Sequence, residues 1–170
     1  MRRFLVAAAV IAALASAGLY VRARRTVPPR RAAPDLDLPS LDGQRVRLSD
    51  LRGKVIVLDF WATWCAPCRI EMPRLVALHG RYRGRGLEVI GVAMDDAAPD
   101  TVDKVARFTA ERRVDYPIAL GDEALARAYG GLRLLPETFV IGRDGTVFES
   151  MSGLVGELEL EKAVERALTP

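Results

Sequence analysis

Cys65 and Cys68 are the only cysteines in a chain of 170 residues, and they sit three apart in Trp64-Cys65-Ala66-Pro67-Cys68. Residues 55–60 before them read Val-Ile-Val-Leu-Asp-Phe, a short apolar, β-branched run of the kind that forms a buried strand. Residues 69–81 after them carry Ile70, Leu75, Val76 and Leu78 at roughly helical spacing. The pair therefore falls where a strand hands over to a helix. The first turn of a helix presents unpaired N–H groups and a partial positive charge. A thiolate placed there is stabilised, and its pKa falls from about 8.5 toward about 7 or lower. Cys65 is expected as the exposed sulfur at the helix entrance and Cys68 as the shielded one. Residues i and i+3 share a helix face, within the Cα separation of about 4.4–6.8 Å that a disulfide needs. A purely structural staple is the weaker reading, because so small a loop constrains the unfolded chain by only about 2 kcal/mol. A zinc site would need two further N or S ligands, and the chain offers only His79. Reversible dithiol–disulfide chemistry is the reading that remains.

Charge narrows the partners. Residues 1–34 hold seven arginines and no acid, which leaves 18 basic against 22 acidic residues for 35–170. The basic balance belongs to the tail, so the domain has no basic stripe to recommend nucleic acid. Residues 4–21 are an uncharged run of 18 residues behind Arg2 and Arg3, long enough to cross a membrane. Residues 1–21 are expected to act as an uncleaved signal anchor, with cleavage near Ala17 in Ala15-Ser16-Ala17 as the alternative. The anchor would hold the domain in the periplasm or extracytoplasmic space; cleavage would release it there. The arginines at 22, 24 and 25 oppose this orientation, since counting flanking charge alone places the domain on the cytoplasmic side. Residues 22–34, rich in Arg, Ala and Pro, read as a disordered linker.

Residues 35–170 read as one α/β domain. Residues 35–48 alternate and turn at Asp42-Gly43, a small β-hairpin. A helical turn follows at 49–53, then the strand at 55–60 and the cysteine-bearing helix, which Pro73 should kink. Strands are expected at 87–93, 116–120, 138–141 and 147–151, the last two joined by Arg143-Asp144-Gly145. Helices are expected at 100–113, at 122–129 with Asp122 as cap and Gly130-Gly131 as stop, and at 157–168. That order gives a central mixed β-sheet with helices on both faces.

Asp59-Phe60-Trp61-Ala62-Thr63-Trp64-Cys65-Ala66-Pro67-Cys68-Arg69 resembles the active-site segment of the thioredoxin superfamily. The wider pattern is similar to its membrane-tethered TlpA/ResA/CcmG branch of thiol–disulfide oxidoreductases. It includes Leu41-Asp42-Gly43, the segment Leu48-Ser49-Asp50-Leu51-Arg52-Gly53-Lys54, Glu71-Met72-Pro73 and Leu135-Pro136-Glu137-Thr138-Phe139. The resemblance implies a thioredoxin-like fold over roughly 36–168. It also implies a cis Leu135–Pro136 bond facing the cysteines, with the Leu135 backbone free to pair with an extended substrate. Asp59 interrupts an apolar strand six residues before Cys65 and should be buried with a raised pKa. In thioredoxins the matching acid moves protons to and from the shielded cysteine; many members of the TlpA branch carry a neutral residue there. Trp64 is expected at the surface beside Cys65, whereas Glu71 and Glu137 read as solvated charges and His79 as a helix-surface residue.

The expected activity is disulfide reduction in exported proteins, with Cys65, Cys68 and Asp59 catalytic and Trp64, Leu135 and Pro136 touching substrate. Partners would be cysteine-containing proteins, as in cytochrome c biogenesis, and an upstream dithiol donor. No metal, flavin or nucleotide is needed, because the sulfurs carry the electrons. Two alternatives stand beside this. The thiolates could bind a soft ion such as Cu(I). A thiol peroxidase would want Pro-x-x-x-Thr/Ser-x-x-Cys, and Leu58 and Ala62 occupy those places.

Overall fold

A computed structural model of the chain describes residues 24–26 as backbone and residues 31–169 in full. The signal segment expected at 1–21 lies outside the described residues. Eight strands are described: β1 (Arg24–Thr26), β2 (Asp37–Pro39), β3 (Arg45–Arg47), β4 (Val55–Trp61), β5 (Leu87–Ala93), β6 (Ile118–Leu120), β7 (Glu137–Ile141) and β8 (Val147–Ser152). The helices are α1 (Ala66–Tyr82), α2 (Thr101–Glu111), α3 (Glu123–Ala128) and α4 (Glu157–Leu168). Six strands form one mixed sheet in the order β1-β8-β7-β4-β5-β6. Neighbours β4, β5 and β6 run parallel, and β7, β8 and β1 are antiparallel. The expected hairpin, β2 with β3, stands apart as a two-stranded sheet whose turn uses Gly43 at φ 80°.

Strand β4 is buried along its whole length, and its alternation sorts the core into two layers. Val55, Val57 and Trp61 pack with Met72, Leu75 and Leu78 of α1, Val105 of α2 and Leu160 and Val164 of α4. Ile56, Leu58 and Phe60 pack on the other side with Leu36, Val46 and Leu48 and with Leu125 of α3. Helices therefore cover both faces, α1, α2 and α4 on one and α3 beside the hairpin on the other. Helix α1 continues through Pro73. Asp122 caps α3 by accepting the Leu125 N–H at 2.7 Å.

The disordered linker expected over 22–34 gives way at two places. Strand β1 pairs with β8, Arg24 opposite Ser152 and Thr26 opposite Ser150. Further on, Ala33 N–H donates to Gly145 O at 2.9 Å and Val147 N–H donates to Arg31 O at 2.8 Å. The β8 edge would otherwise leave a row of backbone groups unpaired, and backbone bonding needs no apolar side-chain pattern.

Candidate active site

The strand-to-helix handover is sharp. Strand β4 ends at Trp61, Cys65 N–H donates to Ala62 O at 3.1 Å, and α1 starts at Ala66 with Cys65 as its N-cap. Pro67 sits in the first turn, where its missing N–H leaves no helix bond unmade. Cys65 and Cys68 form a disulfide with their Cα atoms 5.3 Å apart. Cys68 N–H donates to Cys65 Sγ at 3.2 Å, so a free N–H of the helix end points at the sulfur.

Exposure corrects one expectation. Cys65 is 4% exposed and Cys68 2%, so neither sulfur stands open in the disulfide form. The asymmetry survives in a different guise. An open groove of about 510 Å³ is lined by Trp64, Cys65, Ala66 and Pro67 and by residues 132–135; Cys68 does not reach it. Trp64 on one wall is 61% exposed and Leu134 on the other 57%. The Leu135–Pro136 bond is cis. Leu135 lines the groove, and Pro136 behind it accepts the Gly153 N–H at 2.8 Å.

Asp59 is buried, opposite Thr138 of β7 and Gly91 of β5. Burial pushes its carboxyl up to about 7, opposed by the Thr138 hydroxyl, which donates at a long 3.5 Å. Gly91 is required here: a Cβ would stand 2.5 Å from Ile118 Cδ1 and 2.9 Å from Trp61 Nε1.

Glu71 is one of three polar residues expected in solvent that the structure buries. It is 1% exposed, and neither carboxyl oxygen has a hydrogen-bond partner among the described residues. Burial first, then the charge of Asp59, push it up to about 9, with Arg74 pulling the other way. The two buried acids are thus near enough for the charge of one to act on the other, and both resist ionisation. The Tyr116 hydroxyl and Trp61 Nε1 are likewise buried without a partner. Glu137 is also buried rather than solvated; burial raises its pKa while Ser152, which donates at 2.7 Å, and Arg133 oppose the rise. His79 is 6% exposed, its ring nitrogens 3.3 Å from Asp115 and from Glu88. All three were read as solvent-facing from their polar character, and packing overrides that. Among the described residues no group of three or more His, Cys, Asp or Glu is gathered to hold a metal ion.

A redox-active Cys-x-x-Cys at the N-terminus of α1, on a thioredoxin-like sheet, defines a thiol–disulfide oxidoreductase. Comparison with known proteins agrees. The chain belongs to the AhpC/TSA family, which matches residues 29–150, and within it lies among ResA-like thiol–disulfide oxidoreductases. It is 32% identical over 140 residues to the thiol-disulfide oxidoreductase ResA of Bacillus thuringiensis (strain Al Hakam), covering 82% of this chain and 78% of that one. With ResA of Bacillus subtilis (strain 168) the identity is 33% over 128 residues, 74% and 68% of the two chains. A solved thiol:disulfide interchange protein of the thioredoxin family from Chlorobium tepidum TLS superposes with a TM-score of 0.74 at 27% identity, over 84% of this chain and 99% of that one.

Proposed function

We propose that the protein reduces disulfides of exported proteins, with Cys65 as nucleophile and Cys68 as resolving thiol. The observation that carries this reading is the Cys68 N–H aimed at Cys65 Sγ from the first turn of α1. In the dithiol form that donor and the helix dipole stabilise a Cys65 thiolate. The thiolate attacks one sulfur of a substrate disulfide, forming a mixed disulfide and expelling the other substrate sulfur as a thiolate, which takes up a proton. Cys68, once deprotonated, attacks Cys65 Sγ, closes the Cys65–Cys68 bond and expels the second substrate thiolate. Two electrons pass to substrate, and an upstream dithiol donor returns them to the protein.

Asp59 is the acceptor for the Cys68 proton in this scheme, with Glu71 beside it. A carboxyl near pH 7 can both take and return a proton under working conditions. Trp64, Leu135 and Pro136 would receive an extended substrate segment across the groove, its backbone paired along Leu135. The apolar run at 4–21 supports a membrane anchor holding the domain outside the cytoplasm, and cytochrome c biogenesis is one setting that such a reductant serves.

The test is trapping. Cys68→Ala should accumulate covalent, reductant-sensitive complexes with disulfide-bearing proteins, and the wild type should reduce insulin with a chemical dithiol as donor. Absence of both results ends the proposal.

A further inference from the structure

We infer that Asp95 is a positioning residue for the nucleophile: it grips Thr63 from the neighbouring strand end and so fixes the turn that presents Cys65 at the mouth of α1. The inference rests on Cys65 being the nucleophile.

Beyond the paired residues of β4 and β5 the two strand ends stay tied, Met94 N–H donating to Trp61 O at 2.7 Å. Asp95 follows at once. Its Oδ2 accepts the Thr63 N–H at 2.9 Å, and its Oδ1 accepts the Thr63 hydroxyl in a short contact. From α2, Lys104 Nζ donates to Oδ1 at 2.8 Å. The remaining polar group of Thr63, its carbonyl, accepts from the Arg69 guanidinium at 2.8 and 3.2 Å. Every hydrogen-bonding group of Thr63 is thus held by a side chain from another element. Thr63 itself lies inside the turn closed by Cys65 N–H on Ala62 O.

The chemistry of the grip requires a carboxylate. One oxygen meets the Thr63 N–H and the other meets Lys104, both of which can only donate, so an amide in either orientation would turn its NH₂ toward a donor. Removing a carboxylate from water is unfavourable unless it is paired and fully hydrogen-bonded, and here Lys104 and Thr63 supply both. Burial alone would raise the Asp95 pKa; the bonds from Lys104 and Thr63 outweigh it and hold the group below the usual carboxylate value. Asp95 therefore stays ionised while the thiol titrates. The alignment of a capping sulfur with a helix end is sensitive to the angle at which the chain enters. Releasing Thr63 frees that angle, and Cys65 Sγ loses its fixed aim at the Cys68 N–H.

The experiment is the pH profile of Cys65 alkylation by iodoacetamide in the reduced full chain, with Cys68→Ala as common background. It compares Thr63, Thr63→Val, Thr63→Ser and Asp95→Asn, and thermal unfolding is recorded for each. Thr63→Val and Asp95→Asn should move the apparent pKa of Cys65 upward by about one unit, a thiolate fraction roughly tenfold lower at a pH below both values. Thr63→Ser, which keeps the hydroxyl, should restore the parent profile. Should Asp95→Asn fail to fold, the Val and Ser pair at position 63 decides alone. Parent-like profiles in the Val and Asn variants, even with lowered melting temperatures, would reduce Asp95 to a structural residue and overturn the inference. An ordinary thiol profile already present in the parent would instead overturn the assignment of Cys65.

Discussion

The two faces of strand β4 were built under opposite rules. On the face toward α3 the strand presents Ile56, Leu58 and Phe60 to a dry packing of rings. Phe60, Phe139 and Tyr129 meet with centroids 4.9 to 5.8 Å apart, and the Tyr129 hydroxyl reaches out to donate to Pro34 O at 2.8 Å. Among the described residues this face buries one acid, Glu137 opposite Phe60, whose Oε1 accepts from Ser152 while Oε2 has no partner. On the face toward α1 the same strand presents Asp59, and around it stand Glu71, the Tyr116 hydroxyl and Trp61 Nε1, of which the last three have no hydrogen-bond partner among the described residues. Unpaired buried polar groups are unfavourable by about 1–3 kcal/mol each. One face stabilises the fold; the other gives up stability to keep proton-holding groups behind a disulfide.

That contrast can be broken most forcefully on the dry face. Phe60→Ala removes a fully buried ring and should destabilise the protein by about 3–5 kcal/mol in urea unfolding, while leaving the alkylation profile of Cys65 in the surviving folded protein unchanged. A change in that profile would mean that the two faces are coupled.

The opposite outcome is expected under α1. Both acids hold their protons to a higher pH in the folded state than in the unfolded chain. The stability they contribute is therefore full below about pH 4 and is lost as pH rises, through about 7 for Asp59 and about 9 for Glu71. Asp59→Asn should thus stabilise the disulfide form at pH 9 by on the order of 4 kcal/mol, with the gain vanishing at pH 4. The same substitution should slow insulin reduction at neutral pH and flatten its pH dependence. A variant that is less stable at pH 9 would show that Asp59 works as a charge and not as an acid.

The smallest effect belongs to the groove. Trp64→Ala should leave urea unfolding unmoved, because the indole is largely exposed, and should raise KM for protein disulfides several-fold with little change in kcat. Equal losses in both constants would place Trp64 in the chemistry of the sulfurs.

How much of this was legible in the sequence follows from the range of each interaction. The strand, the cysteine pair and the helix are local patterns, and Asp59 betrayed itself by interrupting an apolar run. Glu71 and His79 carried a readable signal that polarity masked. They fall on the stripe Cys68, Glu71, Met72, Leu75, Leu78, His79 and Tyr82, one continuous buried face at helical spacing. Ile70, counted on that face for its apolar character, is 50% exposed. Asp95 had no such signal: it lies outside the periodic segments, and only the pairing of β4 with β5 brings it to Thr63. Strand β1 was invisible for a related reason, since its order comes from the backbone edge of β8.

The central claim, that this dithiol serves as a reductant, is tested most directly by the reduction potential of the Cys65–Cys68 couple, measured by equilibration with a thiol buffer of known potential. A value near that of thioredoxin, about −270 mV, is expected; a value near about −120 mV would make the protein an oxidant and contradict the direction of electron flow assigned to it.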